Sequence, residues 1–500
     1  MKQFIRKNIY KWHKIIGLIT IIPVIFWCLS GLMHPFLAHW FKPQIAHEFI
    51  VPKPLQQDDF KLTLKEVLTK NNIQEFKNFR LVEFKNSTYY QVKSTSGDWQ
   101  YFNAKTGVLL HDGDKKYAEH LARYFLADST SSIKSITQVT EFSQQYKYIN
   151  RLLPVWKVSF ERPDAMDVYI ETPYSRLGTY NPTSRKVFLW VFDNFHNWTF
   201  LSTISNNTLK IAIMLVFLSI IVISSLSGIV IYGFMWSKFK KPDPENKKGV
   251  LKKYHRQIGI SVAFVSLTFA FSGGYHATRK LEPNVLPQMV YETTFETNEL
   301  NDSLLSKQLD WNRLINLSIV KADTSINYQV FYSETENEPS QTIYFNATNY
   351  DEWKNGDSEY AIYLSKVFQQ KSLVSNTKKA CCEFGDVSNT TSTGRPKVLK
   401  TELLPNFEMR EYGFAFKRLP VIRVSFDTPE LTNYYIETTT SRLSAKIENA
   451  DRYEGYSFAI FHKFLFIDWA GKNARDILMI LSALGILTVC ILGLKLYLKK

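Results

Sequence analysis

Cysteine is scarce in this chain: four in 500 residues, too few and too scattered for a disulfide framework. Cys28 and Cys490 fall in long apolar runs, where a thiol packs as a small apolar group. Cys381 and Cys382 are adjacent in the polar stretch SNTKKACCEFGDVSNTTSTGR, which reads as a flexible excursion. Neighbouring cysteines there would form a vicinal disulfide, bind a metal, or do neither. No HExxH and no CxxC motif occurs, and no carboxylate accompanies the histidines at ligand spacing, which removes the usual structural and hydrolytic zinc sites. Acid is missing where base collects. Residues 1–14 carry five Lys or Arg and no Asp or Glu, residues 236–256 carry eight against Asp243 and Glu245, and residues 495–500 add three lysines. These three short segments hold a net +14 of the chain's +15. The remainder is nearly neutral, so the high pI does not signal a nucleic-acid partner.

Four apolar runs are present, approximately Ile15–Leu37, Leu209–Trp236, Gln257–His276 and Asp476–Leu498. Each is long enough for a bilayer core of about 30 Å, which takes roughly 20 residues. The first reads as an uncleaved anchor, because the run is long and FLAHW is a poor small-residue cleavage site. Short basic loops stay in the cytoplasm. Both termini and the hairpin are therefore expected inside, and the two long insertions outside, with lipid around the spans. Those insertions are rich in Tyr, Phe, Thr, Ser and Asn, with the alternation of half-buried strands. The expected segments are a membrane helix in 1–40, an outer domain in 41–208, a helix in 209–236, a cytoplasmic hairpin in 237–256, a helix in 257–278, a second outer domain in 279–474, and a last helix with a cytoplasmic tail in 475–500.

The sequence also matches itself. WHKIIG at 12–17 falls on YHRQIG at 254–259, and SGLMH at 30–34 on SGGYH at 272–276, both at an offset of 242. Later the offset becomes 266, where RLLPVWKVSF falls on KRLPVIRVSF, YIET at 169 on YIET at 435, SRL at 175 on SRL at 441, and FDNFHNW on FAIFHKF. The reading is two tandem repeats, each running helix, outer α+β domain, helix, with parallel topology. Within each domain VSF, YIET and SRL read as consecutive antiparallel strands, preceded by a helix such as KYAEHLARYFL or EYAIYLSKVFQ. The strand and Leu-Pro matches are assigned to packing.

Ten histidines occur, and six fall in matched positions: His13 with His255, His34 with His276, and His196 with His462. His13 and His34 are 21 residues apart, about 31 Å along a helix and about 60° in azimuth. Helices one and three thus each carry one imidazole near either membrane face, and His196 and His462 fall near the outer face. Two readings stand for these residues. They cap helix ends and sit at headgroup level beside Lys14 and Arg256, or they face the bundle interior as functional groups. Proton relay does not call for symmetric pairs, whereas bis-histidine haem ligation does. On that account His34 would pair with one late histidine and His276 with the other, while His13 and His255 would share a haem at the inner face.

The pattern WHxxxG…SGxxxH, the VSF…YIE domain, and FH ahead of the next helix resemble the PepSY-associated transmembrane family over nearly the whole chain. The resemblance implies a four-helix α+β membrane protein of the bacterial inner membrane with two periplasmic PepSY-like domains. It also implies haem b, two per chain, held by axial ligands from His13, His34, His196, His255, His276 and His462. The implied activity is that of a haem-dependent oxidoreductase, a dihaem reductase that releases iron from a ferric siderophore or other ferric chelate. The cytoplasmic segments are too short for the flavin reductase module of some relatives, so the donor would be a separate cytoplasmic flavin reductase or quinol. The rival is a non-catalytic PepSY membrane protein that binds peptides or restrains an extracytoplasmic protease. Nothing in the outer domains spells a substrate pocket.

Overall fold

The computed structural model describes residues 2–203, 206–235, 244–281, 289–301, 309–335, 340–380, 396–408, 411–413 and 416–498. Cys381 and Cys382, and residues 236–243 of the basic hairpin, lie outside the described residues. The chain divides into two compact units. The first, helical unit takes Met1–Gln44, Ser184–Asn284 and Ala450–Lys500, and the second, strand-rich unit takes Ile45–Thr183 and Val285–Asn449. The strand-rich unit stops short of the expected 41–208 and 279–474 limits, because the helices that follow each outer domain belong with the membrane helices.

In the helical unit, α1 (Lys2–Pro35) continues through a π-helical turn, Phe36–Trp40. Helices α2 (Leu64–Lys70), α3 (Gly113–Leu126) and α7 (Gly356–Ala380) belong to the other unit. The helical unit is completed by α4 (Thr183–Phe195), α5 (Asn207–Met235), α6 (Lys247–Thr278), α8 (Asn449–Phe461) and α9 (Gly471–Leu498). The side chain of Asn246 caps α6 by accepting from the Gly249 amide at 2.9 Å, satisfying one of the orphan donors of a helix start. Four helices are long and apolar enough to cross a membrane, the shortest being Asn207–Gly233 with 27 residues, about 40 Å. α1 packs mainly on α5 and α9, and so does α6, so α1 and α6 face each other across a four-helix ring. Small and hydroxyl residues lie inside this ring, among them Thr20, Ser30, Ala263, Ala270, Ser272 and Ala483. Ile22, Phe264 and Leu481 stay exposed on its outer surface, the distribution that a lipid solvent favours.

In the strand-rich unit, the first half has a three-stranded antiparallel sheet of β2 (Asn78–Phe84), β3 (Ser87–Lys93) and β4 (Trp99–Asn103). After it come α3 and a four-stranded antiparallel sheet, β5 (Ile133–Val139), β6 (Val155–Phe160), β7 (Asp167–Glu171) and β8 (Arg176–Asn181). In the second half the same order runs through β10 (Leu314–Ala322), β11 (Ser325–Tyr332), β12 (Gln341–Asn346), α7 and β13 to β16 (Val398–Leu404, Val421–Phe426, Asn433–Glu437, Arg442–Ile447). VSF, YIE and SRL therefore sit on neighbouring antiparallel strands, and KYAEHLARYFL and EYAIYLSKVFQ on the preceding helices.

Both α3 and α7 start where the chain must pass very close to a tyrosine. A Cβ on Gly113 would stand 2.7 Å from the Tyr101 ring, and one on Gly356 2.9 Å from Tyr344, so only glycine lets these helices approach. The next residue then receives the phenol: Tyr101 donates to Asp114 at 2.8 Å and Tyr344 to Asp357 at 2.7 Å. Burial, with the adjacent carboxylate, pushes both phenols well above their usual range. The halves share a core: Phe76, Phe79 and Leu81 of the first pack with Phe295, Leu317 and Val330 of the second. β1 (Glu75–Phe76) also pairs antiparallel with β9 (Phe295–Glu296).

Candidate functional site

His13 on α1 and His255 on α6 meet across the four-helix ring, with ring centres 6.3 Å apart and planes at 66°. Their Nδ1 atoms are engaged from the flanking helices. His13 Nδ1 lies 2.7 Å from Ser227 Oγ of α5, and His255 Nδ1 lies 3.2 Å from the Val489 carbonyl of α9. A carbonyl only accepts, so His255 carries its proton on Nδ1. The Ser227 hydroxyl already donates to the Ser224 carbonyl at 2.7 Å, so it too accepts from the imidazole. Both rings thus carry the lone pair on Nε2, the arrangement that a neutral, metal-binding histidine needs. A glycine eases the approach at one ring: a Cβ on Gly493 would stand 3.3 Å from His255 Cε1, whereas one on Gly228 would make ordinary contact with His13 Cε1 at 3.5 Å.

The second couple is His196 with His462, ring centres 6.4 Å apart and planes at 87°. Each follows a helix, α4 or α8, whose last turn supplies a stacked phenylalanine. Phe192 lies 4.4 Å from His196, and Phe458 lies 4.7 Å from His462. Ser30 Oγ donates to the Phe26 carbonyl at 2.7 Å and accepts from His196 Nδ1 at 3.2 Å. Ser272 Oγ donates to the Phe269 carbonyl at 3.3 Å and accepts from His462 Nδ1 at 3.2 Å. The chain then turns sharply at Trp198 and Phe464, both at φ 52°. Trp198 stacks on Trp27 at 4.9 Å, and Phe464 on Phe269 at 5.3 Å.

The structure therefore brings together two of the three matched histidine pairs, each with its own counterpart. His34 and His276, expected to pair with the late histidines, make no ring contact with them among the described residues, although His462 lies near enough to both to interact electrostatically. His34 lies against Phe188 and Phe192, at 6.5 and 5.9 Å. His276 lies 5.0 Å from Phe458, and its Nδ1 is 2.6 Å from Glu454 Oε1. At the 266-residue offset Glu454 stands where the first half has Phe188, so these two environments differ. A further histidine, His39, meets buried Asp476 at 2.7 Å. Its equivalent at the 242-residue offset is Leu281, so self-matching of the sequence could not find it. Among the described residues no group of three or more His, Cys, Asp or Glu is placed to hold a bare metal ion.

The strand-rich unit has a buried charged seam where its halves meet. Arg418 is buried and donates to Glu437 at 2.7 Å and to Glu171 at 3.4 Å. Arg176 pairs with the same two carboxylates, lying against Glu437 and 3.6 Å from Glu171. Arg176 also donates to the Leu419 carbonyl and Arg442 to the Leu153 carbonyl, each at 3.4 Å, an exchange of arms between the halves. Burial would raise the Glu437 carboxyl, but Arg176 and Arg418 outweigh it and hold the group down at about 2. The signal for this seam was charged residues inside otherwise apolar strand motifs, the Glu of YIET and the Arg of SRL; assignment of those matches to packing passed over it.

No curated protein matches the chain. A family model described as the PepSY-associated TM region matches residues 10–500. With four membrane-length helices and antiparallel sheets in two units, the chain belongs to the PepSY-associated transmembrane family and is a multi-pass membrane protein.

Proposed function

We propose that this chain is a dihaem b-type protein of the bacterial inner membrane, built as two tandem repeats, that passes electrons to a ferric chelate such as a ferric siderophore in the periplasm. The observation that carries the reading is the pair of ring separations, 6.3 and 6.4 Å. With a metal–imidazole bond of about 2.0 Å and about 1.1 Å from nitrogen to ring centre, two such rings would hold one metal at a separation of roughly 6.2 Å. The four rings also carry their lone pairs on Nε2, and space lies open beside Gly17 and Gly31, where a Cβ would meet nothing within 4 Å. Haem held between these couples would supply one-electron transfer, at a potential that the histidines and their burial would set.

The chain's own residues do the positioning. Ser30, Ser227, Ser272 and the Val489 carbonyl fix the tautomer and orientation of each ring, and Phe192 and Phe458 wall the second couple. The apolar helices keep water away. The basic excess beside the spans supports a topology with both termini and the 237–256 hairpin in the cytoplasm and the strand-rich unit in the periplasm. Electrons would enter from a cytoplasmic flavin reductase or quinol at the His13–His255 end. Ferric chelates hold iron tightly and ferrous ones hold it less so, which makes reduction a route to release. Purified protein supplied with haem should show a low-spin Soret band and two haems per chain by the pyridine haemochrome assay. A colourless protein under those conditions would overturn the reading.

A further inference from the structure

Within the strand-rich unit a solvent-open cleft lies between its two halves. Lys77 and Lys93 line it from the first half, and Lys321 and Arg442 from the second. The acids that also line it, Glu171 and Glu292, are already engaged. Glu171 belongs to the buried arginine seam. Glu292 sits between two lysines, in contact with Lys93 and 3.5 Å from Lys77. Lys321 and Arg442 make no ion pair among the described residues, and Arg442 Nε is buried without a hydrogen-bond partner. The two arginines of the SRL motifs thus differ: Arg176 is spent on Glu437, whereas Arg442 lines the cleft with only the Leu153 carbonyl, at 3.4 Å, to accept from it. The walls are Trp99, Tyr174 and Tyr291.

These charges are not a by-product of the halves resembling each other. In the matched hairpins, where Gln91 and Gln329 each donate to the tyrosine of YFNA, the offset is 238, and the counterparts of Lys77, Lys93 and Lys321 are Ile315, Phe331 and Glu83. One cleft has gathered them. Ammonium and guanidinium groups beside aromatic faces recognise carboxylates carried on an organic body, and Glu292 shows that the lysine couple holds a carboxylate.

We propose that this cleft binds a small organic polycarboxylate through Lys77, Lys93, Lys321 and Arg442, and that Glu292 occupies the lysine couple until such an anion displaces it. The free anion and its iron chelate present the same chemistry. The inference needs no haem, since binding is measured with no redox step.

The test is calorimetric titration of the full-length protein in detergent with citrate, and separately with ferric citrate. Citrate should bind, and more weakly as salt rises. Lys321→Gln and Lys93→Gln should each weaken binding about tenfold, the scale of one charge-assisted hydrogen bond. Glu292→Gln should tighten it, also by about tenfold, because the internal competitor loses its charge. Tighter binding of ferric citrate assigns the chelate as the ligand, and equal binding assigns the free anion. The proposal is overturned if neither binds at millimolar concentration, or if Glu292→Gln and Lys321→Gln, with unchanged melting transitions, bind like the parent.

Discussion

The helical and strand-rich units treat their matched positions in opposite ways. In the helical unit, equivalent residues do equivalent work: Ser30 and Ser272 hold a ring, Phe192 and Phe458 stack on one, and Trp198 and Phe464 turn the chain at the same angle. In the strand-rich unit, the positions lining the seam and the cleft diverge, with Leu152 against Arg418, Lys77 against Ile315 and Glu83 against Lys321. The difference follows from what each unit would hold. A metal between two imidazoles needs like donors on both sides, so a change in one half has no partner in the other. A cleft between the halves meets a small molecule with no such symmetry, and there a unique charge is an advantage.

The comparison breaks most severely if the two histidine couples are not separate sites. His196→Ala or His462→Ala should each remove one of two haem equivalents and leave the spectrum of the other, while the His13→Ala, His255→Ala double variant should remove the complementary one. Haem content by pyridine haemochrome, with difference spectra, decides this. Loss of both haems from a single variant would mean one coupled site and no division between the ends of the bundle.

The next largest effect is in the strand-rich unit. Glu437→Gln leaves Arg418 and Arg176 buried with half their compensation, a change that typically costs about 3–5 kcal/mol. Glu171→Gln should cost less, since its contacts are longer, at 3.4 and 3.6 Å. Equal losses would show that the seam is symmetric after all. The pH dependence has a definite sign. The Glu437 carboxyl is lowered from 4.5 to about 2 in the fold, so its contribution is complete above the unfolded value. It is lost as pH falls from about 4.5 through about 2. Tryptophan fluorescence of the full chain during acid titration should show that loss, and Glu437→Gln should flatten it.

What the sequence disclosed depends on how local the determining geometry is. His13 and His255 lie within regular helices, so spacing and helical period alone place them at one level and on facing sides. His196 and His462 sit just past helix ends, where the direction of the chain is decided by Trp198 and Phe464 in left-handed conformation. Aromatic residues seldom adopt that geometry, and here it comes with ring stacks on α1 and α6 that lie 171 and 195 residues away in sequence. Their mutual approach was therefore not legible, and His34 and His276 looked like the nearer partners. The strands were legible because VSF, YIET and SRL recur with turn residues between them. The buried seam was legible only in part: the Glu of YIET and the Arg of SRL recur, but Arg418, which joins the two carboxylates, has Leu152 as its counterpart.

A smaller effect tests the likeness of the helical halves. Ser30→Ala and Ser272→Ala each remove the acceptor that orients one ring of the second couple. Loss of such a partner typically weakens metal binding by about 10–100-fold, and the lower end suits a bond of 3.2 Å. The two variants should weaken haem retention equally in an apo-myoglobin transfer assay. A large inequality would place the haem closer to one half than to the other.

The smallest effect is expected at His34 and His276, and it is the sharpest test of which outer histidines matter. Among the described residues neither ring is in ring contact with another imidazole, and His462 acts on both only at longer range. His34 contributes aromatic contacts with Phe188 and Phe192, worth about 0.5–1.5 kcal/mol at most. His276 is 40% exposed and pairs with Glu454, and such partly solvated pairs contribute about 0–1 kcal/mol. His34→Ala and His276→Ala should therefore keep two haems and a low-spin spectrum, with melting temperatures within a few degrees of the parent. The two variants should also differ, because only His276 has a carboxylate partner: Glu454→Gln should reproduce the His276→Ala change in stability, while Phe188→Leu should reproduce part of the His34→Ala change. If either alanine variant instead loses a haem while His196→Ala and His462→Ala retain both, the ligands are the helix histidines and the facing of His196 with His462 is packing.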